Sequence, residues 1–174
     1  METPPFSVPY DLSRLSDAGA EVDVSASEEQ RELVAKWAGI DKVGSLAAKV
    51  TLGRPAPNRF VYRANLEADI TQSCVVTLAP VQSHLSLDIS RSLHLSKAFP
   101  RAATSQDDLS TGSDEGPEEI NSLHYDLAGP LLEEFALAID PYPRAPGVVF
   151  EPPPAETDEA VNPFKVLKTL KRPG

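Results

Sequence analysis

Three histidines, one cysteine and a handful of adjacent carboxylates are the side chains here with the means to do chemistry. His84, His94 and His124 have the ring nitrogens for proton transfer or metal ligation. None stands in a motif with a nucleophile and an orienting group. His84 and His94 fall on the polar side of one expected strand, where an exposed surface histidine is the ordinary occupant. Cys74 with three scattered imidazoles falls short of the four close ligands of a structural zinc site. Asp107 with Asp108, and Glu118 with Glu119, lie among Ser, Thr and Gly, without the apolar surroundings that raise a carboxyl pKa for acid catalysis. No Gly-rich phosphate cradle follows a strand. The chain is therefore expected to be no enzyme, with no catalytic residue, metal site or cofactor.

Binding is what remains. Lys49 and Arg63 on strand faces, with Arg54 and Arg59 beside the turn between those strands, have the charge to meet phosphates and are the candidate RNA-binding residues. Phe60 and Tyr62 have the shape of stacking platforms, but both fall on the apolar side and read as core.

The elements that must carry these residues follow from period and turn chemistry. Over 60–71 the chain alternates strictly, with Phe60, Tyr62, Ala64, Leu66, Ala68 and Ile70 on one side, as a half-buried strand requires. Leu46, Ala48, Val50 and Leu52 repeat the pattern, and the turn formers of 53–58 join the two into an antiparallel hairpin. Leu85, Leu87, Ile89, Leu93 and Leu95 outline a third strand whose apolar side is broken by Arg91, through a bulge or because the strand outruns the core. A short strand over 74–78 precedes Pro80. Ser27 to Gln30 has capping-box spacing and opens a helix through Leu33, Val34 and Trp37 that ends at Gly39 and should bury Trp37. A second helix runs from about Pro130 through Phe135 to a stop at Pro141, with Glu133 and Glu134 facing solvent. Residues 101–121 carry six acids and scarcely any apolar side chain, the composition of a mobile loop. Six of the 17 prolines crowd into 141–154 and make an extended connector. Near the end, Asn162 can cap and Pro163 suits a first turn, while Phe164, Leu167 and Leu170 oppose Lys165, Lys168 and Lys171. Either this amphipathic helix docks while its lysines meet phosphate, or it is a solvated helix whose lysines complement the dipole. The expected class is α+β: a single domain over 1–174 with an antiparallel sheet, flanking helices, the loop over 101–121 and an extended arm over 141–174.

Charge bounds the partners. The 174 residues carry a formal net charge of -10, which opposes nonspecific adhesion to nucleic acid. It is unevenly spread: three basic and nine acidic residues over 1–41, eight and three over 42–101, one and fourteen over 102–161, then four basic residues to the end. Such blocks describe either an electrostatic footprint or ordinary solvated faces. A lone cysteine suits a reducing compartment, and the first residues lack a signal peptide's basic start and apolar core. Cytoplasmic location without membrane contact is the expectation.

Four features in this order resemble the YceD family, the large ribosomal RNA subunit accumulation proteins. They are the opening Phe6, Ser7, Val8, Pro9; the centre from Thr71 through Cys74 and Pro80 to Val81; Asp126 and Leu127 with Glu133 and Glu134 ahead of Pro141, Tyr142, Pro143 and Arg144; and an ending from Asn162 through Phe164 to Lys168. The centre is similar to the alphaproteobacterial branch. Many relatives carry Cys-x-x-Cys there; this chain has Cys74 and Thr77, which removes any paired-thiol or metal role.

The resemblance implies a non-enzymatic factor for accumulation, processing or assembly of large-subunit ribosomal RNA. It would bind the RNA precursor or a pre-ribosomal particle or, in the alternative, act as an adaptor holding a ribosomal protein or RNA-processing enzyme. It also implies a partner-docking role for Asn162, Pro163, Phe164, Leu167 and Lys168. Truncation after Pro154 is then expected to lower ribosomal RNA levels and partner capture in cells; unchanged levels and capture would end the docking assignment.

Overall fold

A computed structural model describes residues 4–96 and 116–150. Three long strands dominate it: β3 (Lys42–Ala56), β4 (Arg59–Ser73) and β5 (Pro80–Leu95). With β2 (Ala20–Ser25) and β6 (Glu118–Ile120) they form a five-stranded sheet in the order β2-β3-β4-β5-β6. Every pairing in it is antiparallel except that of β6 with β5. A two-stranded ribbon joins β1 (Pro9–Asp11) to β7 (His124–Asp126). Two helices, α1 (Glu28–Ala38) and α2 (Ala128–Ala138), complete a mixed α+β fold. None of the helices described is long and apolar enough to cross a membrane.

The alternation read along β4 is realised residue by residue. Phe60, Tyr62, Ala64, Leu66, Ala68 and Ile70 are all buried, and Val43, Leu46, Ala48, Val50 and Leu52 of β3 continue the same layer. The hairpin between them closes on Pro57 and Asn58, and Asn58 takes the positive φ of 65°, which asparagine tolerates better than most residues. Arg91 introduces no bulge. Pairing of β4 with β5 runs without a shift from Arg59 opposite His94 to Ser73 opposite Pro80. Arg91 stays on the core side because α2 supplies partners there: its Nη2 lies 2.9 Å from Glu133 and 3.1 Å from Glu134. The two glutamates expected to face only solvent thus clamp the helix to the sheet, since a partly buried guanidinium needs its charge matched.

Several boundaries differ from the sequence expectation. Residues 74–78 make a turn instead of a short strand, in which the Cys74 N–H donates to the Ala79 carbonyl at 2.8 Å and the Leu78 N–H to the Cys74 carbonyl at 2.9 Å. A chain that must fold β5 back on β4 has no partner to offer a strand there. α1 has the expected capping box and ends at Gly39, whose φ is 67°, but it buries Val34 and Ala35 and leaves Trp37 half-buried at the rim. α2 begins two residues before Pro130. Its first turn is held by Asp126, whose carboxylate accepts from the Ala128 N–H at 3.0 Å and the Val8 N–H at 2.7 Å. Of the loop expected over 101–121, residues 101–115 lie outside the described residues. Glu118–Ile120 is strand, beside Leu93, His94 and Leu95, with Ile120 buried. Residues 141–150 form no helix or strand; the rest of the expected arm lies outside the described residues.

One polar contact crosses the core. The Tyr62 hydroxyl, fully enclosed, donates to the Leu127 carbonyl at 3.0 Å and ties the central strand to the entry of α2. Burial pushes the Tyr62 pKa up, so the donor stays protonated. Tyr62→Phe should remove that hydrogen bond and cost about 1 kcal/mol, read as a lower urea midpoint at unchanged slope.

Candidate nucleic-acid interface

Strand alternation puts a polar layer opposite the core. Register sets Glu21, Thr51, Arg63 and Ser90 in one row across β2 to β5, and Asp23, Lys49, Asn65 and Asp88 in the next. Lys49 and Arg63 thus become diagonal neighbours about Thr51. Both line a shallow depression of about 340 Å3 together with Thr51, Asn65, Asp88 and Ser90. Arg63 also lines an adjoining hollow with Arg54 and Val61. Lys49 and Arg63 are therefore brought together. Arg54 is held at 5.7 Å over the ring of Phe60, a cation–π contact that keeps its charge on the core side of the sheet, away from Lys49 and Arg63. Arg59 sits apart at the hairpin tip, opposite Ala56. All four are exposed. Among the described residues, ion pairs are made by Arg14, His84 and Arg91, and the four candidates take part in none.

Among the described residues, folding brings the acidic first block against the basic second. β2 belongs to the acidic first block, yet it delivers Glu21 beside Thr51 and Asp23 opposite Lys49. Asp88 adds a carboxylate, held by Asn65 at 3.0 Å. Phe60 and Tyr62 are buried, so neither is a stacking platform. What this end of the sheet offers a nucleic acid is Lys49 and Arg63 among hydroxyls, an amide and the carboxylates of Glu21, Asp23 and Asp88, with charge for phosphates and no platform for bases.

Further along the same side lies a cluster that sequence reasoning missed. His84 Nδ1 is 2.8 Å from Asp69 Oδ1 and Nε2 is 2.7 Å from Glu67 Oε2. The Ser86 hydroxyl donates to Glu67 at 2.8 Å and the Ser45 hydroxyl to Asp69 at 2.7 Å. With a carboxylate on each ring nitrogen, the doubly protonated imidazolium is favoured. The bond to Asp69, then that to Glu67, raises the His84 pKa, while the Ser45 hydroxyl and then His84 lower that of Asp69. The signal was present as alternating polar residues, but the β4–β5 register that makes Asp69 face His84 was not. Among the described residues no group of His, Cys, Asp and Glu is arranged to hold a metal.

Cys74 is enclosed at the turn after β4. Its Sγ accepts from the Ala145 N–H at 3.4 Å, and the Val75 N–H donates to the Pro143 carbonyl at 2.9 Å, so residues 143–145 strap the turn. The Thr77 hydroxyl, then the N–H groups of Ala145, Thr77 and Val76, draw the thiol down to about 6 against the opposing effect of its enclosure. Asn162, Pro163, Phe164, Leu167 and Lys168 lie outside the described residues. No family model, curated protein or solved structure matches the chain.

The His84 clamp has a pH signature. An imidazolium whose native pKa is raised above the ordinary 6.5 stabilises the fold fully below 6.5 and loses that contribution as pH rises through the native value. His84→Gln should flatten the fall in unfolding free energy over that window. In the parent, the His84 ring should titrate above 6.5 by NMR and drop towards it in Asp69→Asn.

Proposed function

We propose that this protein is a non-enzymatic, cytoplasmic factor of the YceD type, acting in accumulation, processing or assembly of large-subunit ribosomal RNA. It would bind the RNA precursor or a pre-ribosomal particle through phosphate contacts. The four-part sequence resemblance supports the process. The observation that carries the molecular contact is the pairing of Lys49 and Arg63 about Thr51, on an exposed sheet surface that also holds Asn65, Ser90 and Asp88. Salt-sensitive association with RNA follows from it. With no exposed aromatic among these residues, sequence discrimination would come from RNA shape or from a partner protein.

An adaptor reading has its own support. Glu67 and Asp69 make the far end of the same layer acidic around His84, which favours a basic protein over RNA there. A ribosomal protein or RNA-processing enzyme would be the occupant in that reading.

Crosslinking of the tagged protein in its own cells, with RNase treatment, RNA sequencing and mass spectrometry, separates the two. Direct crosslinks to large-subunit precursor RNA are expected at Lys49 and Arg63. The double substitution Lys49→Gln, Arg63→Gln should remove most of them and reduce the steepness of the log affinity against log salt plot by about 0.7–0.9 per lost phosphate contact. A protein partner that survives RNase, with RNA at background, would overturn the RNA reading in favour of the adaptor.

A further inference from the structure

Lys49 and Arg63 do not stand on a simply basic surface. In register, Asp23 lies opposite Lys49 and Glu21 lies beside Thr51, while Asp88 lines the same depression as both cations. Two cations thus face three carboxylates. A polyanion with nothing to offer but charge gains little from that balance, because repulsion stands next to each attraction. A ligand that binds well here uses the carboxylates as well as the cations.

Of the three carboxylates, Asp88 is the one that belongs to the depression itself. The Asn65 side-chain amide donates to its Oδ1 at 3.0 Å and holds the group in place. Among the described residues Asp88 makes no ion pair, and Asn65 is its one side-chain partner. It is exposed, so Oδ2 is left to whatever enters. A carboxylate only accepts hydrogen bonds, and what it calls for is a donor.

The neighbours decide which kind of donor. A lysine or arginine of a partner protein, brought to Asp88, would enter the depression that Lys49 and Arg63 already line, and like charges would oppose it. A neutral hydroxyl meets no such opposition. A plain sugar has hydroxyls but nothing for the two cations, and a DNA strand has phosphates but no hydroxyl on its sugar edge. An RNA strand has both in every repeat. Neighbouring strands are about 4.8 Å apart, so Asp88 on β5 is next but one to Lys49 along its row and diagonal to Arg63 on β4. The cations thus take one side of the depression and the carboxylate, with the Ser90 hydroxyl, the other.

We propose that this depression selects RNA over DNA: Lys49 and Arg63 hold backbone phosphates while a ribose 2′-hydroxyl donates to the Oδ2 of Asp88. The 2′-hydroxyl is the group by which a protein distinguishes the two polymers. This selection rests on the RNA reading above and assigns Asp88, with Asn65 positioning it, as its specificity-determining residue.

The full-length protein is titrated at low salt with oligouridylate and with oligodeoxyuridylate of equal length, which differ only at the 2′ position. The RNA should bind about fivefold more tightly, the worth of one hydrogen bond. The 2′-O-methyl form of the same RNA, which has no proton to donate there, should bind like the DNA. Asp88→Ala removes the acceptor and a negative charge together, so both strands should bind more tightly while the preference for RNA disappears. Asp23→Ala removes a carboxylate beside the depression and should tighten both strands with the preference kept. Equal affinity of RNA and DNA for the parent overturns the proposal and leaves the phosphate contacts of the RNA reading standing. A preference shared by the 2′-O-methyl strand, or surviving Asp88→Ala, overturns it as well. Binding of neither strand overturns both the proposal and the RNA reading beneath it.

Discussion

Everything in this fold hangs on the unbroken pairing of β4 with β5. It runs from Arg59 opposite His94 to Ser73 opposite Pro80, and with no slip along it each alternating side chain keeps its face. A shift of one residue would send Phe60, Tyr62 and Leu66 into water and the carboxylates of Glu67 and Asp69 into the core. The turn at 74–79 sets this register. Leu78 takes a φ of 59°, a backbone state that non-glycine residues adopt only where surroundings enforce it. Those surroundings are the hydrogen bonds from Cys74 to Ala79 and from Leu78 to Cys74, with the strap at 143–145 laid over them.

Once the register is set, the buried side needs a cover, and two polar links orient it. Tyr62 reaches Leu127 at the entry of α2, and Arg91 reaches Glu133 and Glu134 within it. Leu131, Leu132 and Phe135 are buried between these two anchor regions. Apolar contact alone is non-directional. A hydroxyl and a guanidinium with defined partners choose one rotation of the helix among those that would bury the same leucines. Asp126 adds a third constraint by joining the Val8 and Ala128 N–H groups, so the β1–β7 ribbon and the helix start move as one piece.

The polar side divides into two electrostatic regions. Around Thr51, Lys49 and Arg63 stand with Asn65, Ser90 and Asp88, and Glu21 and Asp23 of β2 are close by in register. Around His84, two carboxylates share one imidazole. An anionic partner meets cations at the first region and repulsion at the second, so one sheet surface can orient an elongated ligand by charge alone.

The strands that strict alternation marks, β3, β4 and β5, and the two helices with their capping and proline signals were legible from residue types, because period two and period 3.6 are local properties of the chain. Their burial followed as well, from Phe60 through Ile70. The short strands β1, β2, β6 and β7 were not, since three to six residues carry too little periodicity to stand out; β6 exists only because Leu93, His94 and Leu95 offer it an edge. The candidate site was half legible. Lys49 and Arg63 belong to the exposed side by alternation alone, but their diagonal contact about Thr51 and the arrival of Glu21 and Asp23 beside them depend on strand order, which no local pattern encodes. The His84 clamp and the Arg91 anchor are products of register and helix docking. Composition and period thus determined which side chains this protein hides and which it shows, while only the tertiary structure decided which charges become neighbours, because pairing between distant strands depends on long-range closure and not on the residues beside each one.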